Sequence, residues 1–290
     1  MKNKFSIDVD NSINSGQVFL WEKHGSDWYG IDGQDVLKIN KNGVIKSIRN
    51  LKTDFFRKND NMQEIIKSIS KDKTVKKAVK EYEGLRLFRQ DPFQCLISFI
   101  ISSNSNIQKI KSSLEKITKK FGKKVKIQNK EFFLFPEPEK MAKATIDEIK
   151  SCGVGYRAPF IKEAAKMVIL KKIDFEYLKK CDYHEAKKNI CLVPGIGNKV
   201  ADCIMLFSLN KLEAFPLDTW MIKILEKYYS KEFKIETKTI TQKQYELLHE
   251  KIVNYFGKNI IFIALSEKES LHIKLCHPKH KVIIIENTLT

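Results

Sequence analysis

Apolar and polar residues alternate through roughly the first sixty positions, then apolar residues recur every three or four positions along most of the remaining chain. Segments 18–21, 27–30, 36–39 and 44–48 carry Val, Leu, Ile, Trp and Tyr around Gly25, Gly30, Gly33 and Gly43. Period two with short glycine turns predicts an antiparallel sheet. From Asp60 the spacing predicts helices over 62–70, 74–82, 92–101, 107–121, 145–152, 158–171 and 175–180. A further pair is predicted over 184–192 and 198–209, and 132–138, with Pro136 and Pro138, reads as a loop. The fold class expected is α+β, an amino-terminal antiparallel β domain over 1–60 followed by a mostly α-helical domain over 61–290. Repeats, Gly/Ser linkers and low-complexity tails are absent from the sequence.

The last helix pair, over about 184–210, carries the chemistry. Its connection is Val193-Pro-Gly-Ile-Gly-Asn-Lys199. Pro194 and Gly195 stop the first helix, and Gly197 is expected to supply the backbone freedom that starts the second. A hairpin of this kind exposes a row of N–H groups at a helix N-terminus, which favours phosphate without reading a base. The same glycines would also serve as plain helix caps. Lys199 falls in the first turn of an otherwise apolar helix. The positive helix end and desolvation both disfavour an ammonium there, so a lowered pKa and a nucleophilic amine are expected. A solvated lysine at the helix edge is the alternative. Asp218 follows after a helix of about 15 Å and an extended run over 212–217 of up to about 20 Å, lengths that let the chain return to Lys199. It should also cap a helix starting at Thr219.

Cys191-Leu-Val-Pro-Gly-Ile-Gly-Asn-Lys-Val-Ala-Asp-Cys203 and Ala214-Phe-Pro-Leu-Asp218 resemble the helix-hairpin-helix DNA glycosylases, in particular the 8-oxoguanine DNA glycosylase/AP lyase branch. Three upstream segments resemble the same branch in the same order: Asn14-Ser-Gly-Gln-Val-Phe-Leu-Trp21, the stretch 87–107 ending in Ser-Ser-Asn-Ser-Asn-Ile, and Gly153-Val-Gly-Tyr-Arg-Ala158. The resemblance implies a bifunctional enzyme that excises 8-oxoguanine from double-stranded DNA and cleaves the strand through a lysine Schiff base, with no metal or organic cofactor.

Roles follow at the matching positions. Lys199 would attack the sugar C1′ and Asp218 would stabilise the positive sugar. Gly16 would offer its carbonyl to the N7 hydrogen of 8-oxoguanine, and Cys203 would pack against the flipped base. Asn104 would fill the gap in the duplex, Tyr156 would wedge the stack and Arg157 would reach the orphaned cytosine. Gly195 and Gly197 would grip the backbone. Such plugs suit an enzyme that must extrude its target base. Lys109 stands where relatives commonly carry an arginine, and no histidine stands two after Asp218. Phe262 is a candidate stacking residue from the carboxy-terminal region. A non-catalytic hairpin DNA-binding protein, and a glycosylase for another lesion, remain as alternatives.

Composition adds a partner class. With 53 Lys+Arg against 35 Asp+Glu the net charge is +18, which attracts polyanions. The runs 71–80 and 119–126 read as solvated faces. No stretch approaches a membrane span and no secretory leader is read, so a monomer inside the cell is expected, in the cytoplasm or nucleoid of a prokaryote or the nucleus of a eukaryote. The six cysteines, only Cys276 beyond Asp218, lack Cys-x-x-Cys spacing. They read as reduced thiols and leave no set for a carboxy-terminal four-cysteine iron–sulfur cluster. Cys276-His-Pro-Lys-His280 reads as a polar tail rather than a metal site.

Overall fold

A computed structural model describes residues 7–47, 54–82, 84–127, 130–235 and 240–257. Phe262 and the segment 276–280 lie outside the described residues. The amino-terminal part is a four-stranded antiparallel meander, β1 (Trp21–His24), β2 (Asp27–Asp32), β3 (Asp35–Ile39) and β4 (Ile45–Ser47), in chain order. Trp21 pairs with Gly30, and a Cβ on Gly30 would lie 2.0 Å from the Trp21 ring. The glycine therefore gives the indole its place on the sheet. That indole packs on Phe55 at 5.2 Å, and Phe55 stacks on Phe88 at 4.6 Å.

Two details differ from the period-two reading. A helix, α1 (Val9–Asn14), precedes the sheet and is capped by Asp8, whose carboxylate accepts the Asn11 N–H at 2.9 Å. Val18, Phe19 and Leu20 are buried loop rather than strand. Both sides of that loop face core, so its apolar run carries no direction.

The helical part opens with α2 (Met62–Ile69) and α3 (Lys73–Glu81), then α4 (Pro92–Ser102) and α5 (Ile107–Phe121). A hairpin of β5 (Lys124–Ile127) and β6 (Lys130–Phe133) follows. It corrects the expectation of a loop at 132–138: Phe132, stacked on Tyr29 at 5.8 Å, and Phe133 are strand residues, Pro138 starts the next helix, and only 134–137 is loop. Next come α6 (Pro138–Lys143), α7 (Ile146–Ile149), α8 (Ala158–Ile169), α9 (Phe175–Lys180), α10 (Tyr183–Ile190), α11 (Asn198–Ser208), α12 (Thr219–Tyr228) and α13 (Gln242–Phe256). The helix predicted over 145–152 is broken: after α7 the chain widens into a π turn, Lys150–Val154, with Gly153 at φ +84°, and a 3₁₀ turn, Gly155–Arg157. Only glycine enters that region without cost.

Helix α4 is the hub. Asp91 caps it by accepting the Gln94 N–H at 2.8 Å, Pro92 sits in its first turn, and every residue from Phe93 to Ile101 is buried. Gln94 also reaches the sheet, accepting the Gly33 N–H and donating to the Ile31 carbonyl, both at 2.8 Å. Asp91 donates its N–H to Asp32 at 2.7 Å. Burial, then the nearby Asp91 carboxyl, push the Asp32 pKa up to about 8. The sheet is thus locked to α4 by directional bonds as well as apolar contact. No helix among the described residues is long and apolar enough to cross a membrane.

Candidate active site

The turn between α10 and α11 is closed by the Val193 N–H on the Ile190 carbonyl (3.1 Å) and the Ile196 N–H on the Val193 carbonyl (3.2 Å). Gly195 has φ +83°, and a Cβ there would lie 2.4 Å from the Phe160 ring of α8. Backbone angle and space both demand glycine. Gly197 does not behave as expected: at φ −100° and ψ 178° it is ordinary extended backbone that any residue adopts. Its missing side chain instead leaves open space at the start of α11, where no side chain caps the N–H groups. That end can accept a phosphate.

Lys199 is the second residue of α11. Its Nζ lies 6.0 Å from the centroid of the Phe99 ring, on α4. Cys203, one turn further along α11, and Asp218 are both close enough to act on it. These neighbours reverse the pKa expected from the helix end. Cys203 first, then Asp218, hold the proton on Lys199 and outweigh the burial that would strip it, so its pKa is raised. The Cys203 thiol is itself buried and pushed up to about 11, so it is neutral at physiological pH. Asp218 caps α12, accepting the Trp220 N–H at 3.1 Å and the Met221 N–H at 2.9 Å. The chain does return along α11 as its length allows: Leu217 donates its N–H to the Tyr245 hydroxyl, which donates to Asp202 of α11.

Gly16 follows α1 at φ +83° with open space on its Cβ side. The fully buried Gln17 fixes its loop, donating to the Arg86 carbonyl (3.0 Å) and accepting the Phe88 N–H (2.9 Å). Gln90 in turn donates to the Gln17 carbonyl at 2.8 Å. Phe19, two residues beyond Gln17, meets Phe99 edge-on at 5.9 Å. The Gly16 loop and Lys199 therefore flank the same ring.

A second cluster forms at the far end of α4. Asn104 lies past that helix, exposed, at φ +49°. Arg157 is buried, and it donates to the carbonyls of Ser103, Asn104 (3.1 Å) and Val154 (3.3 Å). Its guanidinium carbon lies 4.4 Å from the centroid of the Tyr156 ring, which is 57% exposed and free to meet a ligand. In this structure Arg157 is a strut for the Asn104 turn rather than an outward-reaching group. Phe160 touches Tyr156 at 6.3 Å and also blocks a side chain at Gly195, so it joins this cluster to the hairpin. Phe99 is three residues before the end of α4 at Ser102, about 4–5 Å along the helix axis, and Asn104 follows two residues later. Lys109, in the first turn of α5, is exposed nearby in sequence.

Phe99, Phe160 and Gln17 were not singled out from the sequence. Phe99 hides in an unbroken apolar run and Phe160 in an amphipathic helix, so nothing marked either. Gln17 did carry a signal, as a polar residue beside a hydrophobic run.

A half-buried amine beside a helix-capping carboxylate, behind a hairpin with an open helix end, defines a helix-hairpin-helix DNA glycosylase. The chain belongs to the HhH-GPD superfamily of base excision DNA repair proteins, whose family model matches residues 97–250. The model of the 8-oxoguanine DNA glycosylase N-terminal domain matches residues 1–96. The chain is 28% identical to N-glycosylase/DNA lyase OGG1 of Arabidopsis thaliana, over 92% of this chain and 80% of that one. It is 33% identical to the "Probable N-glycosylase/DNA lyase" of Methanothermobacter thermautotrophicus, over 53% of this chain and 55% of that relative. Its structure resembles that of Clostridium acetobutylicum 8-oxoguanine glycosylase/lyase, solved with double-stranded DNA containing cytosine opposite 8-oxoG: TM-score 0.80, 31% identity, 91% and 92% of the two chains covered.

The hairpin yields a stability contrast. Gly195→Ala should lower unfolding free energy by about 2–4 kcal/mol, from overpacking against Phe160 and the positive φ together. Gly197→Ala should change it by less than about 0.5 kcal/mol. Urea denaturation of the two variants checks this, and equal losses would contradict the turn geometry.

Proposed function

We propose that this chain removes 8-oxoguanine from double-stranded DNA and then cleaves the abasic strand, with Lys199 as nucleophile. The observation that carries it is the enclosure of Lys199 with Cys203 and Asp218 at the start of α11. Once deprotonated, the Lys199 amine attacks C1′ and forms a C–N bond. The glycosidic bond breaks, and its electron pair leaves with the base. Asp218 stabilises the positive charge that develops on the sugar, an effect strengthened in a site that excludes water. The amino sugar then opens to a Schiff base, loses a C2′ proton and expels the 3′ phosphate by β-elimination. Proton loss from Lys199 must come first, because its pKa is raised in the DNA-free site.

Gly16 offers its carbonyl to the N7–H of the lesion, a hydrogen guanine lacks, and Cys203 packs on the flipped base. Tyr156, the exposed ring of the second cluster, wedges the stack, while Asn104 occupies the vacated space. Arg157 already holds the Asn104 carbonyl, so its reach to the orphaned cytosine requires that turn to rearrange on binding. Gly195 and the open end of α11 at Gly197 contact the backbone, and Lys109 stands where relatives place an arginine that helps read the opposite base. The enzyme acts where the cell keeps its DNA, as a monomer.

Borohydride reduction in the presence of a duplex carrying 8-oxoguanine should give a covalent protein–DNA adduct. Lys199→Gln should abolish it while retaining duplex binding. Wild type that binds but never traps would leave only the hairpin DNA-binding function.

Neutral amine increases as pH rises toward a raised pKa. Single-turnover base release should therefore climb with pH between about 6 and 9, close to tenfold per unit. A flat wild-type profile would show that amine deprotonation does not limit the reaction.

Gly16→Ala strains a φ of +83° and displaces the carbonyl. The preference for 8-oxoguanine over guanine should narrow by about tenfold, the order of one hydrogen bond. Full retention of the preference would rule out the carbonyl's role.

A further inference from the structure

A buried polar network gathers around Asp202, one turn from Lys199 on α11. Asp202, fully buried and three residues beyond Lys199 on α11, accepts the Tyr183 hydroxyl at 2.8 Å, the Tyr245 hydroxyl at 2.6 Å and the Lys187 Nζ at 3.2 Å. Lys187 also donates to the Tyr183 hydroxyl at 2.9 Å and lies 4.6 Å from the centroid of the Tyr245 ring. His249, one turn beyond Tyr245 on α13, stacks on Tyr183 at 4.9 Å with its Nε2 3.0 Å from that hydroxyl. A buried ion pair is a poor source of stability, since a well-packed apolar cluster does as well or better. It does fix one register, because each polar atom must find its partner.

The register at stake is that of Asp218. The Tyr245 hydroxyl accepts the Leu217 N–H at 3.1 Å, and the Phe215 carbonyl lies 3.3 Å from it. Its single proton goes to Asp202, much the shorter contact. One oxygen thus ties the residue before Asp218 to the helix that carries Lys199. Leu217 N–H, Tyr245 hydroxyl and Asp202 carboxylate form a continuous bridge, and Asp218 is then held from its other side by capping α12.

We propose that Tyr245 and Asp202 are positioning residues, a latch that sets the Asp218 carboxylate against Lys199. The proposal rests on the lysine chemistry above. Both side chains are buried, so the latch acts through Asp218 and not by touching the duplex itself. Its loss should act on the chemical step and not on binding. A misplacement of about 1 Å in such a pair can cost up to about a hundredfold in rate.

Tyr245→Phe removes only the hydroxyl. The single-turnover rate of 8-oxoguanine release should fall about tenfold with the Kd for the lesion duplex unchanged. Tyr183→Phe strips a hydroxyl from the same carboxylate without touching the 215–217 segment. It should lower the Tm by a similar amount and hold the rate within about twofold, which a purely structural role for the network would not allow. Combined with Asp218→Asn, Tyr245→Phe should cost no further rate, because the latch acts through that carboxylate. If Tyr245→Phe does not fold, Asp202→Asn, which weakens the charge-assisted bond but keeps the shape, should show about a threefold loss of rate at constant Kd. Wild-type rates in Tyr245→Phe, equal rate losses in both tyrosine variants, or additivity with Asp218→Asn would overturn the proposal. Failure of the underlying chemistry is a separate result, seen as absence of trapping by the wild-type protein.

Discussion

A helix with core on every side cannot shift without disturbing all its neighbours, and α4 is buried from Phe93 to Ile101. Its first turn holds the sheet through Gln94, its middle presents Phe99 to Lys199, and its end launches the Asn104 turn that Arg157 clasps. Because interiors are packed to the density of organic crystals, these three attachments keep fixed mutual distances. The candidate catalytic cluster and the candidate duplex-filling cluster are therefore two stations on one rigid rod. Phe160 ties the same Tyr156 region to Gly195 in the hairpin, so the backbone grip is set relative to both. A lesion pocket assembled from elements so far apart in sequence depends on that rod more than on any one of its own residues.

How much was legible in the sequence depends on which physical signal each element carries. Helices with one wet face, such as α5 and α9, are predicted to the residue because their apolar stripe is periodic. The four-stranded meander is visible through its glycine turns. Residues 18–20 mislead because a loop buried on both sides has the composition of a strand, and the β5–β6 hairpin hides in a lysine run that reads as a solvated face. The kink after α7 turns on Gly153 adopting φ +84°, which a helical periodicity cannot show. At the site, chain length alone made a pairing of Lys199 with Asp218 feasible. Asp202, Tyr183, Lys187, Tyr245 and His249 could not, since each sits at an ordinary helical position and only tertiary packing brings them together.

The reversal at Lys199 shows where local electrostatic reasoning stops. A helix N-terminus repels a cation by up to about 1 kcal/mol, and burial adds to this. The sulfur of Cys203 and the Asp218 carboxylate, close by in surroundings of low dielectric, favour the ammonium more strongly. The nearer groups win, and the amine keeps its proton. For an enzyme this ordering has a use: a lysine that is neutral at rest would react with any carbonyl it met, whereas one held as ammonium by Asp218 is protected until a substrate changes its surroundings.

The same logic limits what the +18 net charge can mean. Lys187 is enclosed with Asp202, and Lys211 is buried with its Nζ on the carbonyls of Lys179 (3.0 Å) and Cys181. Neither can release a counterion from DNA, so the salt dependence of binding must be carried by the exposed lysines and by backbone N–H groups at the hairpin. Arg157 is likewise held by carbonyls rather than facing outward. It enters a DNA interface only at the cost of the Asn104 turn, and that turn sits at a left-handed φ of +49° that asparagine tolerates better than most residues. Binding that pulled Asn104 into a duplex would relieve that backbone angle and free the guanidinium in one movement. The two residues are thus coupled through a single hydrogen-bonded turn, and the duplex would engage them together.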